Sequence, residues 1–274
     1  MASAFETATA ATRRPDSPGS RSVYDGAVAD GWDIGGVANG GYVLALAARA
    51  MADTAGRPPL SVTAHYLAPG RPGPCVVEVE PVRIGRRMAT VAARLTQGDT
   101  EVIRVLGTFG APPAPDGEPI ATVAPPADLP DYEHTPTMER FSPTMAPSGF
   151  PRQVEMRIRP GDEGFAVERP TGRAELAGWF ALAGQAPGDA IDAIGLLLAA
   201  DAFFPPVFNA GVTPGWVPTL ELTVHIRAVP APGPVAARFH SDVIAGGLLN
   251  EDGELWDSTG TLVAQSRQLA LMPR

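Results

Sequence analysis

The chain has 274 residues, 45% of them hydrophobic, which at about 150 residues per domain suggests two cored domains. Its formal charge is −9 and every basic residue is arginine; without clustered positive charge it is a poor partner for nucleic acid or an anionic membrane surface. The single cysteine, Cys75, excludes an internal disulfide and fits a reducing compartment.

The first residues, "MASAFETATAATRRPDSPGS", have no apolar segment of the kind a secretory signal needs. Glu6 and Asp16 count against a transit peptide, so residues 1–19 read as a flexible polar tail and the expected location is the cytoplasm. No apolar run reaches the roughly 18 residues of a membrane span. "GGYVLALAARAMAD" (Gly40–Asp53) is rich in Ala and Leu, lacks proline and is apolar nearly all round, which predicts a buried helix. "LSVTAHYLAPGRPGP" (Leu60–Pro74) follows as a strand and turn. Residues 75–110 then predict three antiparallel strands, with a tight turn at "TQGDTE" (Thr96–Glu101).

Residues 111–150 are rich in proline, which forbids regular helix or central strand and marks a linker. Beyond it, "QVEMRIRP" and "AELAGWFALA" read as strands. The earlier order then returns. "GDAIDAIGLLLAAD" (Gly188–Asp201) aligns with Gly40–Asp53 at an offset of 148 and predicts a second buried helix. "LELTVHIRAVPAPGP" (Leu220–Pro234) repeats Leu60–Pro74 at an offset of 160, with seven of fifteen positions identical. The difference of twelve residues lies in "AFFPPVFNAGVTPGWVP", between helix and strand. Three more strands follow, with a turn at "DSTGT" (Asp257–Thr261).

Each half thus predicts a helix covered by an antiparallel sheet, residues 20–110 and 151–274, since a sheet must bury one face. Alternation in "TLELTVHIR" puts Leu220, Leu222, Val224 and Ile226 on the helix side. Thr219, Glu221, Thr223, His225 and Arg227 fall on the other face, which would pack on the other half and leave a polar crevice.

This tandem α+β organisation resembles the double hotdog, and within it the acyl-CoA thioesterase II family. "NGGYVLALAARAM…LSVTAHYLAPGRPG" is similar to the family's first-domain signature. The resemblance implies hydrolysis of acyl-CoA to a free acid and coenzyme A, in fatty-acid metabolism, with no metal or organic cofactor. It implies a catalytic set of Asp201, Thr219 and Gln268, which together hold a water. In the first half Asp53 is retained, but Pro59 and Gly107 stand where Thr219 and Gln268 would be, so one site per chain is expected. Thr223 is a rival for Thr219. Gln265 is a rival for Gln268, three residues away and so on the opposite face of the strand.

The residues themselves fit water attack better than covalent catalysis. There is no G-x-S-x-G elbow, and Cys75 has no signature around it. Asp201 would take a proton from water while Thr219 and Gln268 orient it. Backbone N–H groups of Gly40 and Gly41, at a helix start, would meet the oxyanion. Arg83, Arg86 and Arg87 would contact the phosphates of coenzyme A or form a solvated turn. Phe203 and Phe204 would line an acyl pocket or pack in the core. His65 and His225 repeat at the offset of 160, as scaffold residues do. Two other readings stay open: a hotdog hydratase or dehydratase, whose His-x-x-x-Gly-x-x-x-x-Pro pattern is absent here, and a non-catalytic acyl-binding protein. Exposed sheet surface leaves a homo-oligomer open as well.

Overall fold

The computed structural model describes residues 2–16, 20–112, 119–137, 149–186 and 188–273. The first half contains helix α1 (Ala4–Ala8), strands β1 (Ala11–Arg13) and β2 (Ser22–Val28), and a small β3–β4 ribbon (Asp33–Ile34 and Val37–Ala38). Helix α2 (Gly40–Ala55) follows, then β5 (Pro59–Tyr66), β6 (Gly73–Ile84), β7 (Met88–Gln97) and β8 (Thr100–Gly110). The second half has β9 (Val154–Ile158), β10 (Glu175–Leu182), helix α3 (Ala193–Ala199) and β11 (Thr219–Ile226). It ends with β12 (Val235–His240), the short β13 (Ile244–Ala245), β14 (Leu248–Trp256) and β15 (Leu262–Leu271).

All strands but β3 and β4 join one antiparallel sheet of thirteen, running β1-β2-β6-β7-β8-β5-β11-β15-β14-β12-β10-β9 with β13 beside β14. The alternation read from the sequence is plain on the strands of the first half. On β7, Ala89, Val91, Ala93 and Leu95 are buried; on β6, Cys75, Val77 and Val79 are. These faces cover α2, eleven of whose sixteen residues are buried. Asn39 caps the start of α2 by accepting from Tyr42 N–H at 2.9 Å, and Gly56 ends it in the left-handed conformation (φ 64°). The turns fall where expected, with Gly98 at φ 57° and Gly260 at φ 83°.

The halves do not stack face to face across a crevice. They meet edge to edge: β5 pairs with β11, Thr63 directly opposite Thr223, and the two hydroxyls bond at 2.9 Å. The repeated segments are therefore neighbours across a local two-fold relation.

Three further expectations are corrected. Residues 4–13 are not a flexible tail. Ser3 and Glu6 form a capping box on α1, Phe5 is buried against Trp32, and β1 pairs with β2. The second helix is short, because Asp192 caps it at Gly195 N–H (2.6 Å) and Ala190, just before, is bridged to Gly233. The third concerns Thr219. A bulge at Leu220 shifts the register, so that Thr219 opposes Ala270 while Glu221 opposes Leu269. An extra residue reverses the alternation beyond it. Thr219 thus shares the inner face with Leu222, Ala270 and Gln268, not the outer face with Thr223.

Of the linker, residues 113–118 and 138–148 lie outside the described residues. Residues 119–137 have one 3-10 turn (Tyr132–His134) and a single bridge, Thr137 to Arg157. The linker's carbonyls at Val123 and Pro130 accept from Trp256 and Trp179 Nε1–H, which seats it on the second half.

Candidate active site

The start of α2 runs against the end of α3, and the approach is close because two glycines permit it. A Cβ on Gly41 would lie 2.9 Å from Asp201 Cβ and 3.0 Å from the Leu198 carbonyl oxygen. One on Gly40 would lie 2.8 Å from Asp201 Oδ2. Asp201, two residues beyond α3, thereby places its carboxylate on the first turn of α2. Oδ2 accepts from Gly41 N–H at 2.6 Å and from Asn39 Nδ2 at 3.4 Å; Asn39 Nδ2 also donates to the Asp201 carbonyl at 2.9 Å. An anion suits the positive end of a helix. Burial nonetheless raises the Asp201 carboxyl to about 6, against a smaller lowering by the Gly41 bond. The group therefore exchanges its proton close to neutrality.

Tyr66 closes one side. Its hydroxyl donates to the Gly40 carbonyl at 3.0 Å, and burial, then the charges of Asp201 and Glu221, hold it well above the usual phenol range. The inner face of β15 presents Gln268, 5% exposed, with Oε1 buried and lacking a partner. Across the strand pair stands Glu251, 6% exposed. Its carboxyl is pushed well up, first by burial and then by the charge of Asp201. Asp201 is therefore within electrostatic range of the strands that carry Gln268. Among the described residues no direct hydrogen bond joins Asp201 to Thr219 or Gln268.

The rivals face away. Thr223 bonds Thr63 and Glu221 on the outer face, and Gln265 accepts from Arg227 Nε–H at 3.0 Å. His65 and His225 are exposed. Gly41 N–H is already taken by Asp201; Gly40 N–H has no acceptor among the described residues. Arg83, Arg86 and Arg87 are not brought to the site. Their hairpin is tied to the other end of α2 by Arg57, which donates to the Gly85 and Arg86 carbonyls at 2.9 Å, a helix length of about 24 Å away. Phe203 and Phe204 follow Asp201 closely but are committed to aromatic packing, on Phe239 and Phe165 with centroids 5.3 Å apart. His240, Asp242 and Asp252 could together ligate a cation, with ligand atoms within 4.8 Å. Both Asp252 oxygens, however, already accept from Arg267.

The first half shows what the same scaffold does without these groups. Asp53 accepts from Tyr24 O–H at 2.7 Å. The bulge recurs between Pro59 and Ser61, so Pro59 takes the place of Thr219. Gly107 opposes Val62 as Gln268 opposes Leu222, and the Phe109 ring lies 2.8 Å from where a Gly107 Cβ would be.

Acyl-CoA thioesterase N-terminal domains match residues 28–110, and acyl-CoA thioesterase C-terminal domains match residues 126–272. This chain belongs to the acyl-CoA thioesterase family. An uncharacterized protein of Mycobacterium tuberculosis is 30% identical over all of this chain and 99% of its own length. A solved structure from Thermobifida fusca, proposed to be a thioesterase II, is 31% identical with a TM-score of 0.86, covering 99% of this chain and 98% of that one. A hot dog fold protein of unknown function from Alicyclobacillus acidocaldarius has a TM-score of 0.81 at 22% identity, covering 100% and 99%; it is similar in fold. Membership does not single out Asn39, Tyr66 or Glu251, which the sequence reading missed. The signal available was the register: Glu251 opposes Gln268 where Val91 opposes Gly107.

Proposed function

We propose that the chain hydrolyses acyl-CoA thioesters by direct attack of water, with Asp201 as the base. The carrying observation is a carboxylate gripped by the N-terminus of a helix from the other half and raised to about 6 by burial. One oxygen, Oδ2, is fixed by Gly41 and Asn39; the other is left to hold water. Thr219 and Gln268, on the inner face of adjoining strands, orient that water.

Water adds through oxygen to the thioester carbonyl carbon as Asp201 takes its proton. The carbonyl becomes an oxyanion, met by Gly40 N–H. The oxyanion collapses, the C–S bond breaks, and the proton on Asp201 passes to the departing sulfur. The products are a free acid and coenzyme A, and Asp201 is ready again. Preorganised donors and a positioned base account for barrier lowering of several kcal/mol each.

The test is release of free thiol from short, medium and long acyl-CoAs by the purified protein. Turnover of at least one, lost in Asp201→Asn, is expected. No release from any member of the panel overturns the reading, and an acyl-CoA that binds without turnover replaces it with the acyl-binding one.

A further inference from the structure

Glu251 is a buried carboxyl with no role in the chemistry above. Among the described residues its side chain makes no hydrogen bond or ion pair. Directly opposite, Gln268 has its Oε1 buried and unpartnered. Side chains of directly opposed strand residues start about 5 Å apart on one face, well within the reach of a glutamate and a glutamine. We propose that Glu251 is a positioning residue, whose carboxyl O–H donates to Gln268 Oε1 and so turns the Gln268 amide N–H groups toward the Asp201 water. The inference rests on the thioesterase reading.

Two independent observations support it. Amide oxygen and carboxylate are both acceptors, so the pair is compatible only if the carboxyl keeps its proton. Burial, and then the nearby charges of Asp201 and Asp252, favour that form. The second is the comparison between halves. At the equivalent register of the first half, Val91 opposes Gly107, and Val91 is fully buried. The fold therefore accepts an apolar pair at this position. A glutamate appears only where Thr219 and Gln268 also appear. Asp201 ionised and Glu251 protonated are mutually reinforcing, since the charge of the first disfavours a charge on the second.

Wild type, Glu251→Gln and Glu251→Met separate this role from a structural one. Glutamine retains a donor for Oε1; methionine fills the space without one. With an acyl-CoA that the wild type turns over, Glu251→Gln should keep kcat within about threefold, and Glu251→Met should lose about 10–100-fold in kcat with KM little changed. Wild-type kcat should fall in alkali as Glu251 loses its proton, and that limb should be absent in Glu251→Gln. Full kcat in a folded Glu251→Met, or the same alkaline limb in Glu251→Gln, overturns the proposal. If Glu251→Met does not fold, the Glu251→Gln profile decides alone. If the wild type turns over no acyl-CoA, the thioesterase reading fails, and infrared spectroscopy still decides the pair. A protonated-carboxyl band present near pH 8 in wild type and missing in Glu251→Gln supports it; no such band overturns it.

Discussion

Asp201 carries opposed demands. Its carboxyl is raised to about 6 in the fold from an ordinary 3.8. Between those values the folded protein binds more protons than the unfolded chain, so stability falls as pH rises from about 4 to 6 and then levels. At pH 8 the ionised group costs up to about 3 kcal/mol. Asp201→Asn removes that cost and keeps an oxygen for Gly41 N–H. It should melt higher than wild type at pH 8, with the gap closing toward pH 4, while thiol release drops about 10²–10⁴-fold. Thermal unfolding across pH checks the first and a thiol assay the second. The wild-type rate should rise through an acid limb near pH 6; a limb near 4 would show that another carboxyl is the base.

At the scale of elements, the junction of α2 and α3 depends on what Gly41 lacks. Gly41→Ala forces a methyl group against Asp201 and the α3 carbonyls, so the helices must part. A loss of about 1–3 kcal/mol is expected, with kcat reduced because the Asp201 clasp moves too. Gly56→Ala is the control. At φ 64° with open space around it, it should cost about 1 kcal/mol through backbone strain and leave kcat unchanged. Equal effects of the two on kcat would break the link between helix contact and chemistry. Elements also show what sequence can convey. Strands, turns and the first helix were legible because their signals are local: alternation, glycine in turns, a long alanine-leucine run. The bulge at Leu220 was not, because it exists only relative to β15, and one unseen residue sent Thr219 to the wrong face. Likewise nothing in "NED" marks Glu251 as part of a buried pair until its opposite neighbour is known to be Gln268. Asn39 was missed because its part beyond capping α2 is long-range: its Nδ2 donates to a residue 162 positions away.

For the whole molecule, the decisive feature is the seam between β5 and β11. It makes one sheet of two repeats, and the proposed site draws Gly40 and Gly41 from one and Asp201, Thr219 and Gln268 from the other. The halves should unfold together, giving a single calorimetric transition; two resolved transitions would show that the seam does not couple them. Residues 151–274 expressed alone should release no thiol, since the helix start that grips Asp201 is missing and β11 becomes an unpaired edge. Activity from that fragment would show that the N-terminal half is dispensable.

Because Gly41 and Asp201 belong to one covalent chain, their meeting is intramolecular and has an effective concentration rather than a dissociation constant. Two separate half-sized chains assembling the same site would come apart on dilution. Here the rate per chain should stay constant as the protein is diluted to nanomolar levels and beyond, because the two parts of the site cannot diffuse away from each other.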